Sequence, residues 1–234
     1  MAELGPGTTG LTVGQRVFGL TDWARDGALA EFVAVEARNV APLLASIGYV
    51  PAAALSLAGL TAWQALFDHA RLQPGQTLLA HGAGGAVGAL AVQMARNAGA
   101  RIIGTARERD RARVLAAGAE LFVDLETEPF EEVVGQVDVV LDLIGGEILD
   151  RSVAVVAPGG TLVSVTAPPK TRPADGRAIY FIVEPNRDQL AGLARLVQCG
   201  RLTPPVGAVR PLTETRSAFL NKEHVPGKTV IQVS

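Results

Sequence analysis

His81-Gly82-Ala83-Gly84-Gly85-Ala86-Val87-Gly88 decides how the rest of this 234-residue sequence is read. The apolar run Thr77-Leu78-Leu79-Ala80 precedes it. After it, Val87, Leu90, Ala91, Met94, Ala95 and Ala98 fall on one face of a helical pattern. A strand, a tight glycine turn and a helix in succession are the context in which such a motif holds a dinucleotide. Small residues let the backbone approach a pyrophosphate, whose charge then meets the N–H groups opening the helix. In the GxGxxG spacing Ala83 takes the first position, with Gly85 and Gly88 in the others. The candidate phosphate contacts are therefore Ala83, Gly84, Gly85, Ala86, Val87 and Gly88. A plain tight turn is the competing reading.

Outward from this turn, strand and helix patterns alternate. Strands are expected at 101–105, 121–123, 137–142, 161–165 and 178–182, and helices at 109–117, 130–134 and 147–156, with Pro158-Gly159-Gly160 as a turn. Alternation of this kind predicts an α/β fold, a Rossmann doubly wound parallel six-stranded sheet with right-handed crossovers. Before the turn, 51–71 reads as a helix, and 1–44 as β-structure with strands at 16–20 and 29–35 whose open edges need partners. Beyond the sheet, Asn186 caps a helix that Gly200 stops, and a strand at 207–212, a helix at 213–222 and a strand at 229–233 follow. Two domains are expected: 49–185 for the dinucleotide, and 1–48 with 186–234 as a second, β-containing one.

The composition, 48% hydrophobic and 19% charged, is that of a packed globular chain rather than a disordered one. A net charge of −2 provides no basic field for nucleic acid or an anionic membrane. Met1-Ala2-Glu3-Leu4-Gly5-Pro6 has no basic or apolar leader pattern, and no apolar run is read as a membrane span, so a cytoplasmic protein is expected. One cysteine, Cys199, excludes an internal disulfide and fits a small core residue. The histidines, 69, 81 and 224, lie far apart and form no metal-ligand pair with it, so no metal site is expected.

In doubly wound sheets a carboxylate at the end of the second strand holds the ribose 2′-hydroxyl. Here that place holds Thr105-Ala106, and Arg107, Arg109, Arg111 and Arg113 follow. A missing acid with guanidinium groups beside it suits a 2′-phosphate, which favours NADPH, with Arg107 and Arg111 as the leading contacts. The competing reading is a solvated helix face on which Glu108 and Asp110 pair with the arginines. Asp142, at the carboxyl edge of the fourth strand, is read as a loop-capping residue, with a catalytic carboxylate as the alternative. His81 is expected to hydrogen-bond backbone, and no catalytic residue is assigned.

These residues resemble a zinc-independent medium-chain dehydrogenase/reductase of the quinone oxidoreductase-like group, over nearly the whole sequence. The similar stretches are Val13 to Leu20 and Gly27 to Val35, then Leu57-Ala58-Gly59-Leu60-Thr61-Ala62-Trp63, Ala83-x-Gly85-x-x-Gly88, Gly104-Thr105-Ala106-Arg107 and His224 to Val230. The resemblance implies that 1–48 and 186–234 are the remnant of an incomplete GroES-like substrate domain. It implies that Thr61 touches the nicotinamide and that Phe181 lies in the stretch reaching the nicotinamide pocket. It further implies hydride transfer from NADPH to a quinone or an α,β-unsaturated carbonyl, and a homodimer built through the sixth strand. Two positions depart from the family pattern: Gln15 stands for an aspartate, and Leu125 for an aromatic residue of some relatives. The sequence also matches the family only from roughly 60–70 residues into such a protein, so a shortened, amino-terminally incomplete member is expected. That departure motivates the alternative function, a non-catalytic NADPH-binding sensor or partner-binding module.

Overall fold

The computed structural model describes residues 1–220 and 225–233. In chain order its elements are β1 (Val17–Gly19), β2 (Val40–Pro42), α1 (Tyr49–Trp63), β3 (Thr77–His81), α2 (Ala86–Asn97), β4 (Arg101–Ala106), α3 (Arg111–Ala117), β5 (Leu121–Asp124), α4 (Phe130–Val134), β6 (Val137–Asp142), α5 (Gly146–Ser152), β7 (Val156–Ser164), β8 (Gly176–Tyr180), α6 (Arg187–Gln198), β9 (Val206–Pro211), α7 (Thr215–Leu220) and β10 (Lys228–Gln232). Contacts divide the chain into two compact units, 61–183 and 1–60 with 184–234. The sequence pattern alone places these breaks at 48/49 and 185/186.

Unit 61–183 is built on one parallel sheet of six strands in the order β5-β4-β3-β6-β7-β8. The order reverses at β3, which pairs with β4 on one side and β6 on the other. In such sheets the reversal opens a crevice at the carboxyl ends of the strands, and the glycine turn follows β3 there. The strands are apolar because both faces are covered. Leu79, Val140 and Leu162 are fully buried in one cluster with Phe130 and Leu149.

Four local expectations are corrected here. Pro158-Gly159-Gly160 lies inside β7 instead of preceding it. Val137 pairs with Val156 but Val139 with Thr161, so the extra residues form an in-strand irregularity. The helix expected over 147–156 closes after Ser152 with a tight turn, Val153–Val155. The helix before the glycine unit starts at Tyr49 and widens over Gln64–His69, where Ala70 N–H reaches Ala65 O at 2.9 Å, five residues back. Together 49–69 make a 21-residue helix long and apolar enough to cross a membrane by length and composition, contrary to the sequence reading. Two-thirds of its most apolar window is buried within the protein, the pattern of a core helix.

In the other unit β1 and β2 pair antiparallel, β9 and β10 pair parallel, and α6 packs against β1 and β2. The strand expected at 29–35 does not form. It has no ladder partner among the described residues, and Phe32 is 78% exposed. Alternating apolar residues without a neighbouring strand leave the backbone to water. The helix expected at 213–222 is a tight turn, Leu212–Glu214, followed by α7; Lys222 and His224 lie outside the described residues. Cys199 is exposed at the end of α6 and is not a core residue.

Asn186 caps α6 as its sequence position requires: its side-chain oxygen accepts the N–H of Asp188 at 3.1 Å and of Gln189 at 3.0 Å. Asn186→Ala is expected to cost about 1 kcal/mol. Urea denaturation should show a lowered midpoint with an unchanged slope.

Candidate cofactor site

The turn between β3 and α2 is held by one acceptor. The Thr105 carbonyl oxygen receives the N–H groups of both Gly82 and Ala83 at 3.0 Å, tying the turn to β4. Gly82 has φ +75°, a conformation that glycine adopts without strain. A Cβ at Gly88 would drive into the Gly82 carbonyl oxygen and lie 2.6 Å from Ala83 Cα, so this close approach excludes any side chain. A Cβ at Gly84 would meet the Asp110 side chain at 2.7 Å. Ala83 is buried without a positive φ, so alanine occupies the first motif position without backbone strain. α2 opens with no acidic residue in its first turn and no side-chain cap, so its leading N–H groups are available to an anion.

At the exit of β4, Thr105 and Ala106 are buried, and neither position supplies a carboxylate. Asp124, beside Ala106 on β5, is buried in its own turn, accepting from the Glu126 N–H at 3.2 Å and the Thr127 hydroxyl at 2.9 Å. The arginines that follow differ in their commitments. Arg107 pairs with Glu126 at 3.2 Å, both well exposed. Arg111 Nε donates to both oxygens of Glu108, at 2.7 and 2.9 Å, and its guanidinium lies 4.3 Å from the centre of the Phe122 ring. That hydrogen bond holds the Glu108 carboxyl below its ordinary value. Arg113 is bonded to Asp110. Arg109 alone of the four is exposed with no side-chain partner among the described residues. The pairing expected of a solvated helix face is therefore present for Arg111 and Arg113.

His81 is fully buried and bonds to side chains rather than to backbone, correcting the expectation. Its Nδ1 lies 2.9 Å from Thr105 Oγ1 and its Nε2 3.0 Å from Ser152 Oγ. Phe130 meets its ring edge-on at 4.6 Å. Burial lowers its pKa to about 4, against opposing pulls from Asp142 and Glu131, so the imidazole is neutral at pH 7. Since its hydroxyl bonds His81, Thr105 contributes its carbonyl to the turn.

Asp142 is fully buried and caps its loop, as the sequence indicated. One oxygen accepts the N–H groups of Ile144 and Gly145 at 3.1 and 2.9 Å; the other accepts the Ser164 and Thr166 hydroxyls at 2.8 and 3.0 Å. These bonds fix the loop whose Leu143 and Ile144 side chains pack against Gly82. Thr61 is buried. Phe181 follows β8, and its buried ring meets that of His69 at 4.3 Å, tilted by 40°. The signal for His69 was absent from the sequence, because contact between 69 and 181 arises only when the sheet forms.

A doubly wound parallel sheet with a glycine turn at its switch point is the architecture of a dinucleotide-binding domain. Comparison with known proteins makes this specific. Residues 117–231 match the family profile described as zinc-binding dehydrogenase. The sequence is 38% identical over 167 residues to the polyketide synthase GfsB of Streptomyces halstedii, covering 70% of this chain and 3% of that protein. It is 31% identical over 214 residues to the chloroplastic NADPH-dependent alkenal/one oxidoreductase of Arabidopsis thaliana, covering 88% of this chain and 53% of that one. With the Mus musculus quinone oxidoreductase it shares 30% identity over 224 residues, 87% of this chain and 68% of the other. The quinone oxidoreductase structure from Coxiella burnetii superposes with a TM-score of 0.89 at 31% identity, covering 99% of this chain and 76% of that one. The chain belongs to the medium-chain dehydrogenase/reductase family, among its quinone oxidoreductase-like members.

Proposed function

We propose that this protein is an NADPH-dependent oxidoreductase that reduces a quinone or an α,β-unsaturated carbonyl. The observation that carries the reading is the glycine turn: a cradle closed to any Cβ at Gly88, facing helix N–H groups that no side chain caps. That cradle fits a pyrophosphate. When bound, the nicotinamide supplies the hydride; the protein's share is to hold and orient it. Ala83, Gly84, Gly85, Ala86, Val87 and Gly88 take the pyrophosphate, Thr105 and Ala106 line the exit of β4, and Thr61 and Phe181 belong to the nicotinamide end. The preference for NADPH rests on the absence of a free carboxylate at that exit and on the arginines beside it. Among these, Arg109 has no side-chain partner among the described residues, while Arg107 and Arg111 would exchange a carboxylate for the 2′-phosphate. The relatives' names, NADPH-dependent alkenal/one oxidoreductase and quinone oxidoreductase, support the same chemistry.

The reading is zinc-independent, supported by a sequence with a single cysteine, exposed at the end of α6. We further assign 1–48 and 186–234 to a GroES-like substrate domain, place the protein in the cytoplasm, and infer a homodimer through β8, an edge strand beside which Ile182 is 60% exposed.

NADPH absorbance should fall in the presence of a panel of quinones and enones. Arg109→Glu and Arg107→Glu should each weaken NADPH about tenfold, the loss of a charge-assisted hydrogen bond, while NADH affinity changes little. Saturable NADPH binding without turnover would favour a binding module over a reductase. A protein that binds no dinucleotide would overturn both.

A further inference from the structure

The two nitrogens of the buried His81 ring act on different elements, and the hydrogen bonds fix which nitrogen carries the proton. Ser152 has one hydroxyl proton, and the Ile148 carbonyl oxygen 2.6 Å away accepts it. The Ser152 oxygen, 3.0 Å from Nε2, therefore accepts, and Nε2 is the protonated nitrogen. Nδ1 is then a bare acceptor for the Thr105 hydroxyl at 2.9 Å. Thr105 is the residue whose carbonyl oxygen holds the N–H groups of Gly82 and Ala83. So Nδ1 acts on β4 beside the glycine turn, and Nε2 acts on the end of α5.

We propose that His81 is a positioning residue for the cofactor turn, acting through Nδ1 and Thr105, while its Nε2 bond to Ser152 serves the fold alone. The connection is short. Thr105 stands opposite His81 in the β3–β4 register, so its side chain and its carbonyl share one backbone placement. Anchoring the side chain from β3 limits how far the carbonyl can move from the Gly82 and Ala83 N–H groups. Those N–H groups and the N-terminus of α2 are what a pyrophosphate would meet. The inference rests on the reading that this turn holds a dinucleotide.

Two substitutions separate the nitrogens, because an asparagine amide reaches about as far as Nδ1 and a glutamine amide about as far as Nε2. His81→Gln and Thr105→Val should each raise the Kd for NADPH about fivefold, the scale of one neutral hydrogen bond. His81→Asn should restore most of that affinity. Ser152→Ala should lower Tm and leave the Kd unchanged. Amide hydrogen exchange of Gly82 and Ala83 in the cofactor-free protein supplies a readout that needs no ligand. It should quicken about fivefold in His81→Gln and Thr105→Val, and in neither of the other variants. Equal losses across all four variants, or none in the first two, would overturn the proposal. If the wild-type protein fails to bind NADPH, the reading of the turn falls, and the exchange rates still decide whether His81 holds it.

Discussion

Gly88→Ala is expected to weaken NADPH binding about a hundredfold or more and to lower stability by about 3 kcal/mol. The new methyl group would strike the Gly82 carbonyl oxygen and come within 2.6 Å of Ala83 Cα. Both are backbone atoms, and both are already fixed, because Gly82 and Ala83 donate to Thr105 O. The methyl is accommodated only if α2 moves away from the turn, and the N–H groups that would face a pyrophosphate move with it. Isothermal titration with NADPH and a thermal melt measure the two effects. A milder outcome is expected for Gly84→Ala, whose Cβ meets the side chain of Asp110 rather than main chain. Were the two variants equally impaired, the close approach at Gly88 would not be what shapes the site.

Asp142→Ala is expected to cost about 2–4 kcal/mol, from two backbone N–H groups, one buried and one part-buried, left without an acceptor. Ile144 and Gly145 lose their partner outright, whereas the Ser164 hydroxyl can turn to Thr166, 3.0 Å away. Because the freed loop packs against Gly82 through Leu143 and Ile144, NADPH affinity should fall as well. Asp142→Asn separates the causes. Its oxygen still accepts the two amides and its NH2 group faces hydroxyls that can reverse, so it should cost well under half as much. Urea denaturation of the pair checks this. Similar losses in both variants would mean that the negative charge, not the acceptor geometry, holds the loop.

Much of the sheet was legible in the residues. β6 falls at Val137–Asp142, as its apolar run indicates, and β4 and β5 differ from expectation by one residue at their ends. Asn186 caps α6 because a short polar side chain before an amphipathic run has one low-energy use. Where the reading failed, a distant partner decided. The residues at 29–35 have the composition of a strand, and strands exist only as pairs. Pro158-Gly159-Gly160 has the composition of a turn, yet it sits inside β7 as an irregularity, with β6 paired on either side of it at Val156 and Thr161 and β8 paired from Gly160 onward.

The site divides in the same way. Its glycine turn could be read from residues because each glycine answers a local demand: a positive φ at Gly82, and a helix start within reach of a carbonyl at Gly88. The missing carboxylate after β4 and the cluster of arginines were equally plain. What the sequence by itself determined was therefore the parallel sheet, the place of the turn and the sign of the charge beside it, since these depend on neighbours close in the chain. Only the tertiary structure decided which arginine has no partner among the described residues, which residues Asp142 caps, and which partner each nitrogen of His81 takes. For Asp142 and His81 the hydroxyl partners lie 22 to 71 residues away in the chain and come within 3.0 Å only when the sheet forms, and residue type alone does not encode that pairing.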